Sequence, residues 1–91
     1  MNKEIVKQVG FDSSGKIILH FKKTNQNFII LNEYDENRSY LVNLCNYVCC
    51  ELLWDEEGVT LHFIHDEKKI KINKDRFIIE PYIYLITTKY F

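Results

Sequence analysis

The strongest constraint on this chain is its rhythm. Short apolar runs alternate with polar residues at period two, and each run ends in a cluster of turn-forming residues. Lys16 to Lys23 shows this most clearly. Ile17, Leu19 and Phe21 fall on one face, with Lys16, Ile18, His20 and Lys22 on the other. Asp12-Ser13-Ser14-Gly15 precedes the run and Thr24-Asn25-Gln26-Asn27 follows it. Both are turn sequences, the first with a glycine for the backbone conformation that side chains disfavour. Glu4 to Phe11 alternates less strictly before the first turn, and Phe28 to Tyr34 comes after the second. Three strands joined by short polar turns predict an antiparallel meander. A second set follows Gly58. Val59 to His65 places Val59, Leu61 and Phe63 on one face, and Lys69 to Asn73 is a further amphipathic strand. Phe77 to Phe91 is rich in Ile and Tyr and reads as one or two strands, with Pro81 marking a bulge, an edge or the break between them.

Between these sets the period changes. Leu41, Leu44, Cys45, Val48, Cys49 and Leu52 follow helical spacing and form one apolar stripe. Asp35, Asn37 and Ser39 are candidate N-caps, and Gly58 is the stop signal. The expected fold is α+β: an antiparallel sheet of about six strands, in the order β-β-β-α-β-β-β, packed on one central α-helix. Residues 1–91 are expected to form a single domain, since 91 residues leave no room for two.

The expected helix breaks two local rules, and such places attract functional readings. Its outer side holds Tyr40, Asn43, Asn46, Tyr47, Cys50, Glu51 and Trp54, where Lys, Glu and Arg are normal. Tyr40, Tyr47 and Trp54 are spaced by seven and would form a second, aromatic stripe. A helix apolar nearly all round needs cover on both sides. The chain's C-terminal strand, a second copy or a foreign protein would supply it. The second broken rule is electrostatic: Asp55, Glu56 and Glu57 would stand at the negative end of the helix dipole. An acidic rim beside Trp54 suits a basic surface on a partner. The candidate partner-binding set is therefore Tyr40, Tyr47, Glu51, Trp54, Asp55, Glu56 and Glu57.

Charge along the whole chain is sorted in the same sense. Leu31 to Glu67 contains nine acids and a single base, Arg38, for a formal charge of −8. Residues 1–30 carry +3 and residues 68–91 carry +4, so the net charge of −1 conceals an acidic middle between basic ends. Sorting of this kind points to electrostatic pairing, with a partner or with a second copy of the chain. A homodimer joining middle to ends is one alternative. A nucleic-acid interface built from Lys68, Lys69, Lys71, Lys74 and Arg76 is another, opposed by the acidic middle.

Other classes find little footing. The three cysteines, Cys45, Cys49 and Cys50, are odd in number and crowded, which fits neither a disulfide framework nor a zinc site. His20, His62 and His65 are enough imidazoles for a metal but lack supporting acids or thiols at ligand spacing. No catalytic motif and no glycine-rich phosphate loop is present. No catalytic residue, metal or cofactor is expected. There is no apolar run of membrane-spanning length and no signal-peptide core, so the expectation is a cytoplasmic protein without a membrane partner.

No family motif can be quoted from these residues. In style the chain resembles the small accessory proteins of phages and mobile elements, anti-CRISPR proteins among them. It is short, sorted in charge and biased toward AT-rich codons, with ten Lys against two Arg and no Ala. The resemblance implies an anti-defence inhibitor that covers a basic nucleic-acid-handling surface on a host protein.

Overall fold

The computed structural model describes residues 2–31 and 37–81. Their elements are β1 (Asn2–Phe11), β2 (Ile17–Phe21), β3 (Gln26–Ile30), α1 (Arg38–Val42), β4 (Val48–Trp54), β5 (Gly58–Phe63), β6 (Lys68–Asn73) and β7 (Phe77–Pro81). One 3-10 turn, Ile64–Asp66, links β5 to β6. All seven strands belong to one antiparallel sheet in the order β6-β5-β4-β1-β2-β3-β7. Two three-stranded meanders, β1-β2-β3 and β4-β5-β6, are thus joined side by side through β1 and β4. Leu19-His20-Phe21 in β2 and Leu61-His62-Phe63 in β5 occupy equivalent strands of the two meanders. Phe28-Ile29-Ile30 and Phe77-Ile78-Ile79 do not, because the latter forms β7.

The fold is sheet-rich, as expected, but the central helix is absent. The region read as helix contains only α1, five residues long, followed by β4. The apolar run from Val48 to Trp54 fits either period. As a strand it places Val48, Cys50, Leu52 and Trp54 on one face. Hydrogen bonding decides between the two readings, because β4 pairs with β1 on one side and β5 on the other. Asn43 and Asn46 are poor helix formers. Tyr47, at φ 64°, turns the chain out of any right-handed helix. Gly58 opens β5 and caps no helix. An added Cβ there would lie 2.1 Å from the Ile72 carbonyl oxygen, so close strand packing fixes this residue. The expected cap Asp35, the end of the third strand at Tyr34 and the run 82–91 lie outside the described residues.

The sheet is rolled. A flat sheet of seven strands would separate its edges by roughly 29 Å, at about 4.8 Å per strand. Yet only residues 74–76 connect the edge strands β6 and β7, a reach of at most about 14 Å. Twist of roughly 20–25° between neighbours accumulates to about 120–150° over six steps, which swings β7 across the concave face. Phe77 of β7 accordingly meets Trp54 of β4, ring centroids 5.9 Å apart, although three strands intervene in the sheet order.

The concave face holds the core. Val6, Leu19, Phe21, Phe28, Cys50, Leu52, Leu61, Phe63 and Ile70 are buried there in one cluster. A bulge at Lys7 shifts the register between Val6 and Gln8, so the inward set passes from Glu4 and Val6 to Val9 and Phe11. Helix α1 covers part of this face with Leu41, which is buried in the same cluster. Arg38 anchors the helix: Nη2 donates to the Gly15 carbonyl at 3.3 Å and the guanidinium lies over Phe11. Among the described residues no helix is long and apolar enough to cross a membrane.

Candidate functional site

Where the rolled sheet does not close on itself, it leaves a cleft of about 260 Å³. Phe21, Phe28, Leu52, Trp54 and Ile79 form its apolar walls, drawn from β2, β3, β4 and β7. Period-two alternation explains why Trp54 is there, since it shares a face with Cys50 and Leu52. It is the last residue of β4, beyond the packed interior, and remains 46% exposed. Ile79 on the opposing strand is also exposed, as are Leu53 and Ile78 on the outer faces of the same two strands. Phe77 supports the Trp54 ring from one side and stacks on Phe28 at 4.5 Å.

The cleft has one buried carboxylate. Glu4 sits on the inward face of β1, 3% exposed, opposite Cys50. Its Oε1 accepts from the backbone N–H of Lys23 at 3.0 Å and of Ile5 at 3.3 Å, and Oε2 accepts from Thr24 N–H at 3.2 Å. Glu4 therefore ties the β2–β3 turn to β1. That tie brings Lys23, Thr24 and Gln26 to the border of the cleft, where Lys3 also lies. The sequence marks this turn at Thr24-Asn25-Gln26-Asn27 but not the carboxylate that holds it. The signal available was an acid on the apolar side of an alternating strand.

The expected partner-binding set is divided by the fold. Trp54, Asp55, Glu56 and Glu57 stay together, at the end of β4 and in the β4–β5 turn. Tyr47 stands at the other end of β4, 58% exposed, with the Lys22 ammonium 5.8 Å from its ring centre. Seven strand residues separate it from the turn, roughly 23 Å at about 3.3 Å per residue. Tyr40 belongs to α1 and packs on Phe63, ring centroids 5.4 Å apart. Its hydroxyl donates to both Asp66 oxygens at 2.8 and 2.9 Å. Burial first, and then the bonded carboxylate, hold the phenol above its ordinary range. The same hydroxyl leads the effects that hold Asp66 below its own. Glu51 is on the outer face of β4, where Oε1 meets His62 Nδ1 at 3.3 Å. His62 Nε2 in turn meets Glu67 Oε1 at 3.0 Å. No common aromatic stripe joins Tyr40, Tyr47 and Trp54.

The acidic turn is partly neutralised from within, by one lysine against its three acids. Asp55 Oδ1 accepts from the N–H groups of Glu57 and Gly58 at 2.8 and 3.0 Å, which shapes the turn. Lys71 Nζ donates to Asp55 Oδ2 at 2.8 Å and to Glu57 Oε1 at 3.0 Å. Its ammonium leads the effects that hold the Asp55 carboxyl below the usual range, and the two acids raise Lys71 above its own. Lys68 lies over the Tyr40 ring, 5.6 Å from its centre.

The basic set is divided too. Lys68 faces inward, paired with Phe63, while Lys69 and Lys71 face outward, and Lys74 and Arg76 belong to the β6–β7 turn. His20 and His62 lie on β2 and β5, with β1 and β4 between them. Cys45 and Cys49 are exposed and Cys50 is buried, the reverse of the helical expectation for Cys49 and Cys50. Among the described residues no three His, Cys, Asp or Glu side chains are grouped as metal ligands. Compared with protein-family models, curated proteins and solved structures, the chain matches none.

Proposed function

We propose that the chain is a small non-enzymatic protein-interaction module whose contact surface is the Trp54 cleft. One observation carries this reading. The only Trp of the chain stands half out of the core on the inward face, lining the cleft together with exposed Ile79. Tryptophan in such a setting is a typical energetic anchor of an interface, because one rigid side chain buries a large area. The rolled sheet fixes Trp54 through Phe77, so little ordering remains for binding to accomplish. The narrower expectation, an inhibitor that covers a basic nucleic-acid-handling surface, draws less support, since Lys71 occupies Asp55 and Glu57.

The test is site-specific photo-crosslinking in lysate of the native host, with the probe at Ile79 or at Tyr47. A single species joined through Ile79, absent through Tyr47 and lost in Trp54→Ser, is the expected result. If that species has twice the mass of the chain, the partner is a second copy. Crosslinking that is unaffected by Trp54→Ser removes the cleft as the contact surface.

A further inference from the structure

We infer that the run 82–91 docks on the outer face of β2 and β3, a strap that the chain supplies for itself. The inference concerns the side of the sheet opposite the cleft and does not rest on the contact-surface reading. The convex side of an antiparallel sheet commonly faces water. Over β4 and β6 it does, with Cys49, Leu53, Lys69 and Lys71 exposed. Over the first meander it does not. The registers set Ile18 beside Gly10 and Ile29, and His20 beside Gln8 and Asn27, all on the outer face. Ile18, His20, Asn27 and Ile29 are nevertheless buried. Among the described residues, α1 packs on β1 and β2 from outside the sheet, but its Leu41 lies in the concave core.

Asn27 gives the character of the cover. Its side chain is fully buried, and neither Oδ1 nor Nδ2 has a hydrogen-bond partner. Water or a polar segment would satisfy a carboxamide placed there, so the covering layer is dry and apolar. The burial is complete within one chain, which leaves the cover to the runs 32–36 and 82–91. The first reads Asn-Glu-Tyr-Asp-Glu, three acids in five residues. The second has seven Ile, Leu, Tyr and Phe residues and one charge, Lys89. Pro81 pairs with Gln26, so the second run departs from β7 beside Asn27. Ile29 is about 10 Å along β3 from that point and Ile18 about 4.8 Å further across the sheet, within reach of about five extended residues.

The test is nuclear Overhauser spectroscopy on the full chain. In a uniformly labelled sample the Ile18 and Ile29 methyl groups are expected to contact aromatic protons of 82–91. An isotope-filtered experiment on mixed labelled and unlabelled chain is expected to be empty. Contacts only in the filtered experiment, which would mean a second copy, contacts to 32–36, or no contacts overturn the inference. The Leu85→Asp, Ile86→Asp variant gives an independent reading. A soluble gadolinium chelate should broaden the Ile18 and Ile29 methyl signals several-fold more in this variant than in the unsubstituted chain. Val59 and Leu61, in the concave core, should stay protected in both. Equal protection of Ile18 and Ile29 in the two chains overturns the inference.

Discussion

Cys49 and Cys50 distinguish a strand from a helix with one reagent. In β4 they point to opposite faces: Cys49 is exposed, and Cys50 is fully buried beside the inward leucines. A helix with the Leu41–Leu52 stripe inward would reverse them. The thiolate is the species that alkylates. Burial pushes the Cys50 thiol up to about 12, from an ordinary value of 9.0. Near neutral pH that difference lowers its thiolate fraction by about a thousandfold, and steric exclusion adds to the protection. Iodoacetamide at pH 8 should therefore modify Cys45 and Cys49 in the native protein while Cys50 waits for unfolding. Single-cysteine variants followed by intact mass resolve the adjacent pair. Cys50 labelling in the native state at a rate within tenfold of Cys49 would refute both the strand register and the burial argument. The same shift fixes a sign for stability. The folded thiol is held above its unfolded value, so its contribution is complete below about pH 9 and fades as pH rises toward 12. Cys50→Ala should therefore flatten the alkaline limb of a stability–pH profile.

Three further outcomes follow from local geometry. Gly58→Ala places a Cβ 2.1 Å from the Ile72 oxygen. Overpacking of this kind costs about 1–3 kcal/mol, and a thermal melt lower by several degrees is expected, whereas an unchanged midpoint would show that the β5–β6 approach is looser. Asp55 is held below its ordinary value mainly by Lys71, so its contribution is present above the unfolded carboxyl range and is lost as pH falls through the folded value. Lys71→Met should destabilise at pH 7 and not at pH 2, and equal melting shifts at both would remove the pairing from the account. Tyr40→Phe deletes the hydroxyl that Asp66 accepts from. The Asp66 carboxyl should then titrate higher by NMR, and an unchanged titration would mean the bond is not populated in solution.

What the sequence exposed and what it hid differ by a single physical distinction. Strands β5 and β6 each carry a polar face, so period two is visible in Val59-Leu61-Phe63 and Ile70-Ile72; in β2, whose five residues are all buried, it is visible through Lys16, His20 and Lys22 alternating with Ile17, Leu19 and Phe21, and the turns are marked by Gly, Asn and Asp. Strand β4 is flanked on both sides by other strands, and its outer face, Cys49, Glu51 and Leu53, carries a single charge between two apolar side chains. With so little polar contrast, periods of 2 and 3.6 select almost the same residues. The tie is broken by hydrogen bonds to β1, more than forty residues away in sequence, which no local pattern contains. The candidate site was lost in the same step. Trp54 is legible as an anchor, but helical spacing assigns it the neighbours Tyr40 and Tyr47. Its actual neighbours, Phe28, Phe77 and Ile79, come from the far edge of a rolled sheet. A seven-strand order whose edges are joined by three residues dictates that roll, and the strand order was the one quantity a linear reading lacked. The rolling that creates the cleft also leaves Trp54 incompletely covered, so the fold and the proposed contact surface have a common origin.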